Sequence, residues 1–236
     1  MADELQRQPA HTTVSKTLGI SIVTGAYAPG ATLPTEKELA EQAGVARSVI
    51  REAMKALSAK GLLVSRRKTG TRVRERSDWN LLDPDLLEWM FEGSPPLNFV
   101  RNLFQLRMIV EPAAAALAAG GRSAHQLSRM GHALEVMASK GLTTSEGQEA
   151  DHTFHAVILE ATGNELLISL SSTIAAAVKW STYFKYNTKR PPRDPMPQHR
   201  ALFEAIAESN PDAARQATET LITQAELDTE AALASD

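Results

Sequence analysis

Three residues with metal-binding chemistry stand in the C-terminal part of the chain: Asp151, His155 and His199. Asp151 and His155 are four residues apart, so on a helix their side chains leave the same face. A carboxylate and two imidazoles are ligands that zinc and other first-row divalent ions accept. The spacing leaves two interpretations open: a divalent-metal site inside a helical bundle, and ordinary hydrogen bonds between the same side chains.

A cationic side chain, Arg107, precedes Glu111 by four residues in another segment with helical periodicity. One interpretation is a salt bridge within the helix, which contributes a few tenths of a kcal/mol. The other is a guanidinium that binds the carboxylate of a ligand through two hydrogen bonds. Both interpretations remain open from the spacing alone.

The first third of the chain has the chemistry of a DNA-reading helix. Arg47, Ser48, Arg51 and Lys55 share one face of a segment whose other face is apolar. Arg47 and Arg51 are one turn apart, and a guanidinium pairs with the O6 and N7 atoms of guanine. The alternative is a set of solvated surface charges, which the elements around this segment make less attractive.

Those elements follow the order of a winged helix-turn-helix. We expect helices over residues 13–24, 35–44 and 46–60, with a capping box formed by Thr35 and Glu38 and a turn at Gly44. Two short strands over 62–66 and 71–74 flank the basic stretch from Arg67 to Gly70, the predicted wing tip. The unit therefore predicts DNA binding.

The remainder of the chain has helical periodicity and no convincing strand alternation. Helices are expected near 98–119, 123–139, 146–161, 164–187, 195–208 and 211–232, which predicts an all-α bundle. Residues 77–97 are expected to form a linker and a connecting helix, with Trp79 and Trp89 packed between the two domains. We expect a DNA-binding domain over 1–76 and a domain for effector binding and dimerisation over 98–236.

Charge and composition agree with this division. Residues 1–76 contain 13 Lys and Arg against 7 Asp and Glu, whereas residues 77–236 contain 12 against 21. A basic module joined to an acidic one favours a polyanion partner for the first alone. The chain has no cysteine, which excludes disulfides and thiol chemistry, and its composition predicts a cytoplasmic protein without a membrane partner.

The N-terminal motifs resemble the DNA-binding domain of the GntR family of bacterial repressors. The elements Pro-Gly, Leu-Pro-x-Glu, Leu-Ala, Gly-Val-x-Arg, Arg-Glu-Ala and Gly-Leu-Leu stand between Tyr27 and Val73 in the family's order and spacing. The chain departs from the family at Ala46, where Ser or Thr is usual. The resemblance implies DNA contacts by Lys37, Arg47, Ser48, Arg51, Arg67 and Lys68.

The C-terminal motifs resemble the FCD sensor domain of the FadR-type GntR subfamily. The resemblance is carried by Arg107-x-x-x-Glu111-Pro112, Asp151-x-x-Phe154-His155 and His199-x-x-Leu202-Phe203. It implies that Asp151, His155 and His199 bind a divalent metal, with zinc favoured, and that the metal receives a carboxylate effector. The usual third histidine is replaced by Leu221, which leaves water, effector, or a side chain such as Thr220, Thr223 or Gln224 to complete the site.

The segment from Trp79 to Trp89 is most similar to members of this subfamily that repress sugar-acid catabolism and respond to galactonate. The resemblance implies a homodimeric repressor that leaves a palindromic operator when Arg107 and the metal bind a small carboxylate, such as an aldonate. The alternative is a metal-dependent enzyme of small-acid metabolism. We do not favour it, because no motif supplies a nucleophile or general base beside the three ligands.

Overall fold

The computed structural model describes residues 9–66, 70–92, 95–186 and 193–234. The chain divides into two compact units, Met1–Ser94 and Pro95–Asp236. The predicted DNA contacts Arg67 and Lys68, at the wing tip, lie outside the described residues.

The N-terminal unit is a winged helix-turn-helix, as expected. Its elements are α1 (Ala10–Val23), α2 (Glu36–Ala43), α3 (Arg47–Ala59), β1 (Leu63–Arg66), β2 (Gly70–Val73), a 3₁₀ turn (Arg76–Asp78) and α4 (Pro84–Phe91). The two strands are antiparallel, with Leu63 opposite Val73 and Arg66 opposite Gly70. One apolar residue of each strand, Leu63 and Val73, packs with α1, α2 and α3 into one core.

Local sequence explains how the helix-turn-helix is delimited. The Thr35 hydroxyl accepts from the Glu38 amide, and the Glu38 carboxylate accepts from the Thr35 amide, which confirms the predicted capping box. Gly44 ends α2 with φ at 63°, a left-handed conformation that only glycine adopts without strain. Helix α3 begins directly afterwards, and its N-cap residue Ala46 supplies no side-chain hydrogen bond.

Helix α4, the predicted connecting helix, packs against α1 within the N-terminal unit. The Trp89 ring covers Gly19 so closely that a Cβ atom there would clash with the ring. Trp79 belongs to the same core and donates its indole N–H to the carbonyl oxygen of Arg74. Burial of both tryptophans is therefore explained inside this unit, and the prediction that they pack between two domains is wrong.

The C-terminal unit is an all-α bundle, as expected. Its helices are α5 (Leu97–Gly121), α6 (Ala124–Lys140), α7 (Ser145–Ala161), α8 (Glu165–Ser169), α9 (Ser171–Tyr186), α10 (Met196–Ala207) and α11 (Pro211–Leu233). The one helix expected over 164–187 is divided at Leu170. The hydroxyls of Ser169 and Ser171 donate to the carbonyl oxygens of Leu166 and Ile168 there, and such local bonds compete with regular helix.

Helix α5 is long and apolar enough to cross a membrane by length and composition alone, which the sequence analysis did not anticipate. Half of its most apolar window is buried inside the bundle, where it packs mainly against α11. It also carries the buried charges of Arg107 and Glu111. We therefore interpret α5 as the core helix of the bundle. Pro112 lies inside it and lacks the amide hydrogen that would bond to Met108.

Candidate functional site: a buried polar cavity and an exposed basic helix

The predicted metal ligands meet in the interior of the C-terminal unit. Helix α7 supplies Asp151 and His155 one turn apart, and α10 supplies His199. All three side chains are buried, and one ligand atom from each lies within 4.8 Å of the others. Helix α5 places Arg107 on the same cavity. The structure thus brings together all four residues that the sequence assigned to this unit.

The orientation of the His199 ring is fixed by a hydrogen bond to the backbone. Its Nδ1 lies 2.9 Å from the carbonyl oxygen of Pro195, which can only accept, so Nδ1 carries a proton. Its Nε2 lies 3.1 Å from Oδ1 of Asp151. In the neutral ring this Nε2 presents a lone pair to a carboxylate oxygen. Such a contact is favourable only with a cation, a proton or a metal ion, between the two atoms.

His155 is oriented in the same way from the other side. Its Nδ1 lies 3.0 Å from Oε2 of Glu111, an ion-pair distance. Its Nε2 lies 3.6 Å from Oδ1 of Asp151. Metal-binding histidines commonly donate their second ring N–H to a carboxylate or a backbone carbonyl; His199 follows that pattern, and His155 has a carboxylate beside its Nδ1.

The donor set therefore fits a divalent metal ion. Two imidazole nitrogens and one carboxylate oxygen converge as acceptors, and their outer partners hold them in that state. Nitrogen and oxygen ligands of this kind suit zinc and its first-row neighbours, and three protein ligands leave a coordination position open.

When a proton rather than a metal ion lies between Asp151 and the imidazoles, two buried carboxylates are ionised despite their burial. Burial raises the pKa of Glu111, but the charges of Arg107 and His155 lower it more, to about 2. Burial also raises the pKa of Asp151, but the hydrogen bond from His199 and the charges of His199, His155 and Lys185 hold it below its usual range. The interior thus keeps fixed negative charge beside its cationic groups.

The contacts of Arg107 are compatible with both interpretations of its spacing, a salt bridge within the helix and a ligand for a carboxylate. Its Nε donates to Oε1 of Glu111 at 2.6 Å, so the intrahelical salt bridge exists, and both side chains are buried. Its Nη1 is also buried and has no hydrogen-bond partner within the described part of the chain. An unpaired buried donor costs free energy, which an acceptor brought by a ligand would recover. The guanidinium is therefore positioned and still available.

The central cavity is lined by these residues and by side chains of α9, α10 and α11. Leu221 lines it, which places the substituted histidine position at the site, and so does Gln224. Thr220 and Thr223, the other side chains considered for completing the site, are exposed.

The sequence analysis missed Lys185 and Gln198, which also line the central cavity. Lys185 is buried on α9, and its burial lowers its pKa. It also missed the link from Glu111 to His155. Lys185 and Glu111 belong to different helices from the ligands that they approach, so no spacing rule could reveal them. Gln198 directly precedes His199 on α10, and that adjacency was the one signal available for it.

The predicted DNA contacts in the N-terminal unit are exposed. Arg47 and Ser48 occupy the first turn of α3, and Arg51 lies one turn later. Arg51 pairs with Glu36 of α2 at 3.1 Å, and Lys37 lies 3.8 Å from Glu41. The first turn of α3 therefore presents hydroxyl and guanidinium groups to solvent.

Comparison with known proteins identifies both units. The family model for "Bacterial regulatory proteins, gntR family" matches residues 11–73, and the FCD domain model matches residues 102–224.

Curated relatives cover nearly the whole chain. The galactonate operon transcriptional repressor of Escherichia coli is 35% identical over 209 residues, which are 87% of this chain and 90% of that protein. The uncharacterized regulator YieP of E. coli is 34% identical over 211 residues, 89% of this chain and 90% of its own. The regulator LutR of Bacillus subtilis is 28% identical over 80% of this chain and 87% of its own.

Solved structures agree. A GntR protein of Streptococcus agalactiae aligns with a TM-score of 0.50 at 26% identity, over 93% of this chain and 99% of its own. The Listeria monocytogenes regulator Lar aligns with a TM-score of 0.66 over 96% of this chain and 99% of its own; at 18% identity this likeness concerns the fold alone.

Proposed function

Because this chain belongs to the GntR family of bacterial regulatory proteins, in the FadR-like subfamily with an FCD domain, we propose that it is a repressor released from its operator by a sugar acid. The observation that carries this proposal is that two sets of polar atoms in the central cavity lack a binding partner. One is the convergent acceptor set of Asp151, His155 and His199, and the other is the unpartnered Nη1 of Arg107. A metal-bound carboxylate satisfies both.

The relatives and the structural neighbours are transcription regulators, and this chain is a regulator and not an enzyme. The enzyme alternative has no support among them.

The proposed metal ligands are Oδ1 of Asp151 and the Nε2 atoms of His155 and His199. The metal, zinc in our proposal, supplies positive charge and an open position for a carboxylate oxygen. Glu111 and the Pro195 carbonyl hold the two rings in the ligating tautomer. Arg107 donates to the second carboxylate oxygen, and this pairing offsets the desolvation of the buried anion.

We propose an aldonate, such as galactonate, as the effector. The relative at 35% identity is named for the galactonate operon, and the central cavity has polar side chains beyond the metal ligands, among them Ser181, Thr182 and Gln224. The hydroxyls of an aldonate could form hydrogen bonds with these groups, whereas the carbon chain of an apolar acid could not.

DNA binding is proposed for Lys37, Arg47, Ser48 and Arg51, together with Arg67 and Lys68 of the wing. Arg47 and Arg51 lie one turn apart on an exposed helix face, at the spacing needed to reach successive base edges of a major groove. One such unit reads a short half-site, so we propose a homodimer on a palindromic operator.

Thermal denaturation with D-galactonate, with and without EDTA, tests the sensor. Galactonate should raise the Tm of the metal-loaded protein, because a ligand of the native state stabilises it. His155→Gln and Arg107→Met should abolish this shift, whereas His125→Gln, at an exposed histidine of α6, should retain it. An undiminished shift in EDTA, with no metal found by elemental analysis, would contradict the metal and leave Arg107 as the carboxylate anchor.

Leu221→His tests the same site in the opposite direction. Leu221 lines the central cavity with the three proposed ligands, so a histidine there should add a fourth. We expect zinc affinity to rise by about tenfold or more, since even outer partners of zinc ligands are worth that much. Competition with a chromogenic chelator measures the change. Unchanged affinity would mean that the metal is absent or bound elsewhere.

A further inference from the structure

The central cavity holds a second polar atom without a partner, and it is an acceptor. Oε1 of Gln198 is buried and has no hydrogen-bond partner among the residues that the structure describes. Gln198 lines the same cavity as Arg107, whose unpartnered Nη1 is a donor. Buried polar atoms in folded proteins are nearly always paired, so two orphans of opposite kind in one cavity call for a ligand that carries both complements.

The two unpaired atoms, Nη1 of Arg107 and Oε1 of Gln198, require different chemical groups in a ligand. A guanidinium N–H requires an acceptor, which a carboxylate supplies. An amide oxygen requires a donor, which a carboxylate cannot supply and a hydroxyl can. A ligand that satisfies both therefore carries at least one hydroxyl in addition to its acid group.

Gln198 lies next to a proposed metal ligand in the sequence. It precedes His199, whose ring is held by Pro195 at the start of the same helix. The lining of the central cavity also includes Gln224 of α11 and Ser181 of α9. The Ser181 hydroxyl donates to the carbonyl oxygen of Val178, so its oxygen lone pairs remain able to accept. The cavity therefore offers ligand hydroxyls further acceptors besides Gln198.

We propose that Gln198 is the residue that selects hydroxylated acids over plain carboxylic acids, by accepting a hydrogen bond from a ligand hydroxyl at Oε1. This inference rests on the proposed function, in which the same cavity binds a carboxylate at Arg107 and the metal. Gln198 would be a second recognition residue, which distinguishes effectors by the hydroxyl groups on their carbon chain. A site built to bond a hydroxyl discriminates strongly against an analogue that lacks it, because its own polar group is then left unpaired.

Isothermal titration of the metal-loaded full-length protein with two six-carbon acids tests the proposal. D-galactonate carries hydroxyls along its chain, and hexanoate carries none. The variant is Gln198→Met, which keeps the length of the side chain and removes its amide. The control is Gln216→Met, at an exposed position of α11 away from the cavity. Gln198→Ala is measured in parallel, so that one variant with the Tm of the wild-type protein is available.

We expect the wild-type protein and Gln216→Met to prefer galactonate to hexanoate. Gln198→Met should lower galactonate affinity by about tenfold or more and leave hexanoate affinity unchanged, since an unpaired hydroxyl costs on the order of a buried hydrogen bond. An equal loss for both acids, or no loss for galactonate, would overturn the role of Gln198 while the carboxylate sensor stands. A wild-type protein that binds neither acid would overturn both.

Discussion

The two units place their proposed functional side chains in opposite surroundings. In the N-terminal unit Arg47, Ser48 and Arg51 are exposed on a helix whose opposite face builds the core. In the C-terminal unit Arg107, Asp151 and the histidines are themselves buried, and each depends on another buried charge. The difference teaches that the proposed DNA contacts can be replaced at little cost to the stability of the fold, whereas the proposed ligand contacts help to stabilise their own unit.

The largest expected effect lies at Glu111. Glu111→Leu removes the acceptor of Arg107 Nε and the carboxylate beside His155, and it leaves a buried cation unpaired. We expect a loss of about 3–5 kcal/mol in the free energy of unfolding, measured with urea. The double variant Arg107→Met/Glu111→Leu should lose less, because it removes both charges.

Glu160→Leu is the matched control on the surface. Glu160 pairs with Arg129 at 2.6 Å, the same distance as the buried pair, but both side chains are 40% exposed. Its replacement should cost less than about 1 kcal/mol. Equal losses for Glu111→Leu and Glu160→Leu would show that burial of the charges does not set their importance.

Acid should weaken the C-terminal unit through the same carboxylate. The pKa of Glu111 is lowered from 4.5 in the unfolded chain to about 2 in the folded protein. Its contribution to stability is therefore complete above pH 4.5 and is lost as the pH falls from there toward 2. Urea unfolding across this range, in EDTA, should show a steeper loss for the wild-type protein than for Arg107→Met/Glu111→Leu. Parallel curves would contradict the assignment.

On the exposed side, Arg47→Ala and Arg51→Ala should each weaken operator binding by roughly 10- to 100-fold and relax the preference at particular base pairs. Their Tm should stay at the wild-type value, because neither side chain is buried. Fluorescence anisotropy on an operator fragment obtained by selection measures the binding. Arg215→Ala, at an exposed residue of α11, is the control. Normal binding by both variants would exclude α3 as the recognition helix.

Lys68→Ala tests the wing separately. A lysine that contacts phosphate should weaken binding to all sequences alike and reduce its salt dependence. A loss restricted to particular base pairs would instead indicate direct base contact.

The smallest effect is a gain in stability at Ala46. The N-cap of α3 has the extended backbone of a capping residue but no side-chain acceptor for the first-turn amides. Ala46→Thr should raise the free energy of unfolding by about 1 kcal/mol, because a threonine oxygen accepts from one of them. Ala46→Val has the same shape without the hydroxyl and should show no such gain. Equal values for the two variants would contradict the capping argument.

How far the sequence predicted the structure also differs between the units. In the N-terminal unit local chemistry was sufficient, because the Thr35–Glu38 box and Gly44 delimit α2 within a few residues of chain. In the C-terminal unit helical periodicity predicted the helices, but it did not predict the break at Leu170, which depends on serine hydroxyls bonding to the backbone.

For the central cavity, too, the sequence predicted only some of the residues that come together. Asp151 and His155 could be paired from their spacing on one helix, and His199 was a candidate from its chemistry that the resemblance strengthened. The carboxylate of Glu111 and the cavity residue Lys185 come from helices that carry none of these ligands, α5 and α9. Gln198 directly precedes His199, but the sequence does not show that it lines the cavity. Their proximity follows from how the helices pack, which a one-dimensional pattern does not encode.

The missing amide hydrogen of Pro112 has a mechanical consequence. Helix α5 begins at Leu97, just after the division between the two units, and its interrupted hydrogen bond lies immediately beyond Glu111. The stiff segment before Pro112 is about 22 Å long, so a bend of about 5° there moves its far end by about 2 Å. A bend at Pro112 would therefore start one turn beyond Arg107 and would displace the end of α5 that follows the division between the two units.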